Sequence, residues 1–177
     1  LAVDGVVYED ICLAFGWVGG IGNIPVTQLA FKVDGPNSLT GPSSVSCGYA
    51  PAGGFVLGTW YHVAASMDYV NHTGKLYLNG ALVDTKTINS APFSRIIPSQ
   101  LNYDVGLVPG YPNQPLGGNM DEVRIWKRVR SDAEIASSYN ICLSGNETDL
   151  FLYYRCDQSA GSLAVDATSN GNDGPLT

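Results

Sequence analysis

The sequence predicts an all-β protein built as a two-sheet antiparallel β-sandwich, and three observations lead to that prediction. The 177 residues include 21 Gly and 10 Pro spread along the chain, a composition typical of short strands joined by turns. Roughly a dozen short apolar or alternating segments lie between these turns. One stretch, near residues 131–139, has the pattern of a short helix. Strands that bury one face each need a partner sheet, which favours a sandwich, although the pattern leaves a closed barrel open.

The first half of the chain contains the clearest strand signals. Residues 11–18 are apolar almost throughout, as in a strand covered on both faces. Further strands are predicted at residues 26–33, 44–50 and 59–69. Asn79-Gly80 then separates two extended segments, and this dipeptide tolerates the positive φ angles of a two-residue type I′ turn. The sequence therefore predicts a tight hairpin at this point.

The second half predicts three strands and the helix. One strand, at residues 101–108, lies in a Pro- and Gly-rich stretch; another ends near Trp126; the last covers residues 149–156. Ser131 and Glu134 have capping-box spacing, in which the Ser hydroxyl accepts from the amide three residues on and the Glu reaches back. This spacing predicts the start of a helix that ends near Tyr139.

Charge and hydropathy exclude two classes of partner. The net charge is −7 and the nine Lys and Arg residues are dispersed, so the basic patch needed for nucleic acid is missing. No run of about 18 apolar residues could span a membrane. The chain opens at "LAVDG" without Met, so we expect a processed chain or an excerpt of a longer one.

The four cysteines predict two disulfides. They are Cys12, Cys47, Cys142 and Cys156, and none forms the C-x-x-C pair of a zinc or thioredoxin-like site. Two disulfides in an oxidising compartment is the interpretation we favour; four buried free thiols is the alternative. Of the three connectivities, we predict Cys12–Cys47 and Cys142–Cys156.

Two N-glycosylation sequons also point outside the cell. They begin at Asn71 and Asn146, and two such motifs are no more than this composition gives by chance. Their placement carries the prediction, because both lie in polar stretches next to glycine that suit exposed turns. We therefore predict a secreted or cell-surface glycoprotein.

Several motifs together resemble one family. "GTWYHVAASMD" and "GKLYLNGALVDT" resemble the Trp-x-His-Val-Ala strand and Leu-Tyr-x-x-Gly hairpin of laminin G-like domains. "GGNMDEVRIWKRVRSDAEI" resembles their Gly-x-x-Asp-Glu-Val-Arg-Ile-Trp strand and following helix. "LAVDGVVYEDI" is similar to their opening strand, and "LFLYYRCDQSAGSLAVDATSNGNDGPLT" to the segment that links tandem copies.

This resemblance implies a fold and a domain organisation. The fold is the concanavalin A-like jelly-roll β-sandwich shared by pentraxins, legume lectins and laminarinase-type glucanases. The organisation is a single domain over residues 1–177, with residues 157–177 as a linker toward a following repeat.

The resemblance also implies a structural calcium ion at Asp121. Asp121 has the strand parity of Val123 and Ile125, which would aim a carboxylate at the apolar face, where it needs partners. In this superfamily the Asp of that strand often binds Ca²⁺ with backbone carbonyls and a group near the start of the domain. Here these would be Asp4 and Gly5, and oxygen ligands suit this hard cation. The alternative is that Asp121 caps backbone amides or lies in water at the rim.

Catalysis is not predicted. Glucanases of this superfamily use Glu-x-Asp-x-x-Glu on one strand, a spacing that suits retaining chemistry. None of the four glutamates fits it: Glu9, Glu122, Glu134 and Glu147. A pair from different strands, such as Asp104 with Asp157, has no support in the spacing. Of the two histidines, His62 lies in a predicted strand and His72 lies inside a sequon.

Two functions therefore compete. The first is a noncatalytic structural or adhesion module whose partners are neighbouring domains or copies in a tandem array or filament. The second is a carbohydrate-binding module in which a glycan stacks on Tyr103 and Tyr111, although packing against the sandwich is the alternative role of both rings. Trp17, Trp60 and Trp126 are expected within the core or between elements, because each lies in or beside a strand.

Overall fold

The computed structural model describes residues 11–15, 28–34, 44–88, 105 and 117–176. Within these ranges the chain forms ten strands and one short helix. The strand predicted at residues 101–108 lies outside them, apart from Val105. No helix in the described part of the chain is long and apolar enough to cross a membrane.

Six strands form two antiparallel three-stranded sheets. The first sheet contains, in this order, β1 (Ile11–Phe15), β2 (Leu29–Asp34) and β3 (Ser44–Tyr49). The second sheet contains, in this order, β4 (Val63–Asp68), β5 (Thr73–Leu78) and β6 (Ala81–Thr87). In both sheets, strands that are neighbours in sequence pair antiparallel. The predicted strands of the first half are therefore confirmed where the structure describes them, with shorter bounds.

The two sheets pack face to face around one apolar core. Alternate positions of β2 and β3 point inward and meet side chains of the second sheet, and the buried cluster consists of Leu29, Phe31, Val33, Val45, Cys47, Met67 and Leu76. The Cys47 Sγ donates a hydrogen bond to the Gly74 carbonyl at 3.3 Å across the interface. A Cβ on Gly74 would lie 2.4 Å from Cγ1 of Val45, so the sheets approach more closely than a side chain would allow. The predicted sandwich is confirmed.

The Asn79-Gly80 turn joins β5 to β6 as predicted. Both residues have positive φ, 49° and 78°, as a type I′ turn requires. The Asn79 side chain accepts from the His62 amide at 3.0 Å, which ties the turn to the start of β4. A Cβ on Gly80 would lie 2.6 Å from the ring of Tyr139. Glycine here therefore serves both the turn and close packing against the helix end.

The helix begins with a side-chain cap. β7 (Val123–Trp126) pairs with β8 (Leu150–Tyr154), and α1 (Asp132–Ser138) lies between them in sequence. Both capping-box bonds form: the Glu134 amide donates to the Ser131 hydroxyl, and the Glu134 carboxylate accepts from the Ser131 amide. The predicted helix is thus confirmed.

The C-terminal segment (residues 157–176) is bound to β8. It contains the short ladder of β9 (Leu163–Ala164) with β10 (Gly174–Pro175). The Asp166 side chain is 6% exposed, and its carboxylate accepts from the amides of Tyr153, Thr168 and Asn172, each at 3.0 Å. The Thr168 hydroxyl donates a fourth bond at 2.8 Å.

Amide side chains complete this attachment. Asn170 and Asn172 each donate to the Phe151 carbonyl at 2.9 Å, and the Tyr154 hydroxyl donates to the Asn172 carbonyl at 2.7 Å. The segment therefore packs as part of this domain. Its predicted role as a linker toward a following repeat stays a prediction.

Candidate functional site

A polar groove of about 410 Å³ lies between the second sheet and the chain that leads into α1. Five lining residues come from β4, β5 and the turn between them: Ser66, Asp68, Asn71, Thr73 and Lys75. Four come from the approach to the helix and its first residue: Val129, Arg130, Ser131 and Asp132. Hydroxyl, amide and charged groups of both signs therefore share one concave surface, which we call the polar groove.

An ion pair bridges the two walls of the polar groove. The Lys75 Nζ donates to Asp132 Oδ1 at 2.7 Å, and the hydroxyl of the buried Tyr77 donates to the same oxygen at 2.8 Å. The Lys75 bond, with the Tyr77 bond second, lowers the pKa of Asp132 below its ordinary value. Burial, followed by the bond to Asp132, raises the pKa of Tyr77 to about 12. Asp132 is thus a fixed carboxylate, charged at neutral pH.

The β4–β5 turn is held rigid at one end of the polar groove. Asp68 accepts from the amides of Val70 and Asn71 at 2.9 and 3.0 Å, and from the Asn71 Nδ2 at 2.7 Å. The backbone and side-chain bonds from Asn71 lower the pKa of Asp68. The Thr73 hydroxyl donates to the Asn71 carbonyl at 3.0 Å. These bonds fix the position of Asn71, which is exposed.

The opposite wall contains a stacked guanidinium. Arg130 lies over the ring of Trp126, 4.1 Å from its centroid, in cation–π geometry. Its terminal nitrogens donate to the Glu134 carbonyl and the Ser138 hydroxyl, both at 3.3 Å. Trp126 is therefore partly buried between elements, as predicted.

The structure changes the argument for calcium at Asp121. Glu122 has a positive φ of 55°, which breaks the alternation before β7 begins at Val123. Asp121 is consequently exposed, and its Oδ1 accepts from the Glu122 amide at 2.9 Å. Asp4 and Gly5 lie outside the described residues. Within the described ranges no three His, Cys, Asp or Glu side chains cluster as metal ligands, and the calcium site stays a prediction.

Glu122, rather than Asp121, is the carboxylate that points inward. It accepts from the Tyr153 hydroxyl at 2.7 Å and forms an ion pair with Arg124. Arg124 in turn donates to the carbonyls of Ser138 and Ile141, where α1 ends. The sequence signal for this pair is limited to the opposite charges of Glu122 and Arg124 two residues apart, because Glu122 precedes β7 with a positive φ and strand parity does not apply to it.

The structure corrects both predicted disulfides. Cys47, Cys142 and Cys156 are free thiols. Cys12 on β1 and Cys47 on β3 are separated by the whole of β2, so their backbones lie roughly 9–10 Å apart, two strand spacings and beyond the reach of a disulfide. The Cys156 Sγ, just beyond β8, instead lies 3.8 Å from the Tyr154 carbonyl oxygen. Burial and then the charge of Asp121 raise the pKa of Cys156, which disfavours the reactive thiolate.

Both sequon asparagines are exposed, as predicted, but in different settings. Asn71 lies in the rigid β4–β5 turn and lines the polar groove. Asn146 lies in a loop where the Glu147 carboxylate accepts from the amides of Ser144 and Gly145 at 2.8 and 3.0 Å. Their glycosylation stays a prediction.

An exposed aromatic ring appears where the sequence predicted a packed one. Trp60 is 64% exposed, beside Leu57 at 99% and the exposed Val56. The loop that presents them is held by Tyr61, whose ring meets Phe55 edge to face and whose hydroxyl accepts from the Val56 amide at 3.0 Å. Trp17, Tyr103 and Tyr111 lie outside the described residues. The prediction for Trp60 was wrong because a loop, rather than β4, contains it.

The described glutamates, which catalysis would need, have structural roles. Glu134 closes the capping box, and its bonds to Arg128 and Ser131 lower its pKa. Glu122 and Glu147 are engaged as above, and Asp157 is exposed; Glu9 and Asp104 lie outside the described residues. His62 packs beside Tyr139 with ring centroids 5.7 Å apart, and burial, then Arg124, lowers its pKa.

Solved structures provide two comparisons. A crystal structure of a candidate carbohydrate-binding protein from Bacteroides ovatus is 25% identical and superposes with a TM-score of 0.64 over 92% of this chain and 44% of its own. This chain therefore spans less than half of that relative. An S-layer domain-containing protein from Clostridium thermocellum is 23% identical over 77% of this chain and 65% of its own, with a TM-score of 0.40, too low to support an argument.

Sequence families give the decisive comparison. No curated protein matches the chain significantly. Residues 17–136, about two thirds of the chain, match the family described as Laminin_G_3, Concanavalin A-like lectin/glucanases superfamily. The two packed antiparallel sheets with one short helix agree with that architecture. The chain therefore belongs to the concanavalin A-like lectin/glucanase superfamily, as a laminin G-like β-sandwich.

Proposed function

We propose that this chain is a noncatalytic module that binds carbohydrate outside the cell, and that the polar groove is its binding site. The observation that carries the proposal is the ion pair between Lys75 and Asp132 inside this groove, whose volume is about 410 Å³. That volume lies in the usual range for small-ligand sites. Sugars need donors and acceptors side by side, and this pair supplies both.

The chemistry of the pair suits vicinal hydroxyls. Asp132 Oδ1 is occupied by Lys75 and Tyr77, which orients the carboxylate and leaves Oδ2 to accept from a ligand. An ammonium has three donors, so Lys75 can bind a sugar oxygen while it keeps its bond to Asp132. The exposed Val129 gives the groove an apolar surface for the C–H face of a pyranose.

Two comparisons support the proposal. The superfamily contains lectins as well as glucanases. The relative from Bacteroides ovatus, which aligns over nearly the whole chain, is described as a candidate carbohydrate-binding protein. Noncatalytic function is proposed because every described glutamate is engaged in a structural bond. The extracellular location is supported by the exposed sequons, while the free thiols no longer support it.

The test is glycan-array binding followed by titration calorimetry on the chain made without N-glycosylation. We expect the Asp132→Asn variant to bind the best ligand at least about tenfold more weakly, since losing a charge-assisted hydrogen bond costs about 1.5–3 kcal/mol. Circular dichroism of the variant checks that α1 persists.

The matched control is Asp157→Asn, which removes an exposed carboxylate outside the polar groove and should leave the affinity unchanged. A wild-type chain that binds no glycan, or an Asp132→Asn variant with undiminished affinity, would refute the proposal.

A second function, a structural or adhesion module in an array or filament, is favoured by a different observation. The loop at residues 54–61, which we call the apolar loop, is rigid and presents Leu57 and Trp60 to solvent. Apolar side chains grouped on an ordered surface commonly mark protein contacts. A neighbouring copy or domain is the partner this function requires.

A further inference from the structure

We propose that Asn71 carries an N-linked glycan whose first sugars lie in the polar groove. The groove would then hold sugar from its own chain when Asn71 is modified, and sugar from another molecule when it is not. The inference deepens the proposed function and rests on the sugar-binding character assigned to the groove.

The position of Asn71 is the first argument. It is the acceptor of a sequon, it is exposed, and it also lines the polar groove. The neighbouring Val70 is 87% exposed, so the turn that contains the sequon is open to a transferase. An acceptor on the wall of a groove attaches its first sugar within reach of that groove.

The orientation of the amide is the second argument. One Nδ2 hydrogen of Asn71 is donated to Asp68 Oδ2 at 2.7 Å, so the remaining hydrogen defines where the sugar bonds. Asp68 is itself fixed by two backbone amides, which limits rotation of the whole side chain. A sugar on Nδ2 therefore leaves from a fixed direction rather than sweeping through solvent.

The chemistry of the groove is the third argument. Lys75 and Asp132 lie on the lining that Asn71 shares, and they offer a donor and an acceptor to the hydroxyls of a proximal saccharide. A groove of about 410 Å³ has room for the first one or two sugars, and the rest of the glycan would extend into solvent.

The modification requires a lipid-pyrophosphate-linked oligosaccharide as donor. The Asn71 Nδ2 attacks C1 of the first sugar, the N–C1 bond forms, and the C1–O bond to pyrophosphate breaks. The lipid pyrophosphate leaves with the bonding electrons, and Nδ2 loses one proton to a base of the transferase. The remaining Nδ2 hydrogen can keep its bond to Asp68.

Asn146 provides the contrast within the same chain. It is exposed, but neither it nor the Glu147 that organises its loop lines the polar groove. A glycan there should leave the groove open.

The experiment compares the full chain made in a glycosylating secretory host with the same chain made in the bacterial cytosol. Glycopeptide mass spectrometry measures occupancy at Asn71, and acylation by a soluble active ester measures access to the Lys75 amine. We expect occupancy at Asn71 and at least threefold slower acylation of Lys75 in the glycosylated chain. Lys86, an exposed amine outside the polar groove, should react at the same rate in both.

Two variants test which of the two glycans protects Lys75. Asn146→Gln in the glycosylating host should keep the protection of Lys75, while Asn71→Gln should abolish it. An unmodified Asn71, or a modified Asn71 with Lys75 still fully reactive, overturns the inference. Glycan-array binding of the bacterial product reports on the proposed function separately, so protection without array binding would support this inference while refuting that function.

Discussion

Asp166 shows how one carboxylate can fasten a terminal segment to a sheet. Burial by itself raises its pKa, but the bonds from the amides of Thr168, Asn172 and Tyr153 outweigh burial, and the pKa lies below its ordinary value. A carboxyl group with a lowered folded-state pKa stabilises the fold fully above its unfolded pKa of about 3.9. That stabilisation is lost as the pH falls through the folded pKa.

We therefore predict that Asp166→Asn lowers the free energy of unfolding by about 2–4 kcal/mol at pH 7. The NH2 group of the new side chain would face backbone N–H groups that now donate to the carboxylate. The difference from wild type should shrink below about pH 4, where the carboxyl of the unfolded chain becomes protonated, and should vanish once the pH falls below the lowered pKa of the folded chain. Urea unfolding at pH 7 and pH 3 measures both effects.

Asp157→Asn is the control, since Asp157 is exposed in the same segment and should change stability by less than about 0.5 kcal/mol. A destabilisation by Asp166→Asn that is equally large at pH 3 would contradict the electrostatic account.

The unexpected exposure of the Asp121 side chain comes from one backbone feature. Strand parity placed Asp121 inside, but parity holds only while φ stays extended, and the positive φ of Glu122 interrupts it. No residue type at this position announces the change, because glycine or asparagine would be the usual signal for positive φ. The local sequence was therefore insufficient here.

At the scale of elements, the apolar loop is more ordered than its composition suggests. The Gly54 amide donates to the Pro51 carbonyl at 2.9 Å and the Thr59 amide to the Val56 carbonyl at 3.3 Å, so one turn leads into the loop and a second lies within it. The Tyr61 hydroxyl then fixes the turn that exposes Leu57. Because the loop is already ordered while its apolar side chains are exposed, a partner could bind it without the free-energy cost of ordering it.

We predict that the chain self-associates through this loop, and that the double variant Leu57→Ser, Trp60→Ala shifts it to monomer. Removing the two exposed apolar side chains removes the area a neighbouring copy would cover. Sedimentation velocity over a concentration series measures the change.

Val70→Ser is the matched control, because Val70 is an apolar residue with 87% exposure that lies outside this loop, in the β4–β5 turn. A wild-type chain that stays monomeric throughout the series, or a Val70→Ser variant that dissociates just as much, would contradict an array built on this loop.

Elements with strong local chemistry were predictable. The Asn79-Gly80 hairpin and the Ser131–Glu134 helix start are set by neighbouring residues, and both form as predicted. The exposure of Trp60 was not predictable, since it depends on where β4 begins. Periodicity locates strand bounds only to within a few residues.

At the scale of the whole molecule, the separation of the two sheets depends on Gly74. A Cβ there would lie 2.4 Å from Val45, 3.4 Å from Phe31 and 3.5 Å from the Cys47 sulfur. The first contact is a clash with a buried side chain of the opposite sheet, so an added methyl must push the sheets apart.

We predict that Gly74→Ala lowers the free energy of unfolding by about 1–3 kcal/mol. Combining it with Val45→Ala should relieve the clash, so that the double variant is less destabilised than the sum of the single variants by about 1 kcal/mol. Denaturant unfolding of the four proteins closes this cycle.

Gly117→Ala serves as the control, since a Cβ at Gly117 meets nothing within 4 Å. Strict additivity of the two core variants would show that the sheets do not meet at this point.

The polar groove could not be predicted from the sequence. Lys75 and Asp132 are 57 residues apart, and only the packing of α1 against the second sheet brings them together. The sandwich itself was predictable, because the turn residues and the order of the motifs can be recognised in the sequence. The site was not, because its walls come from separate elements, each polar for ordinary surface reasons.

The reactivity of the Cys47 thiol can measure how often this core opens. It is 1% exposed, and burial followed by the charge of Asp84 raises its pKa to about 11, so a thiol reagent cannot attack it in the closed state. Cys142 and Cys156 are exposed, so their labelling does not require the core to open. The rate of the slow labelling phase at Cys47 would therefore report how often the core opens at this position.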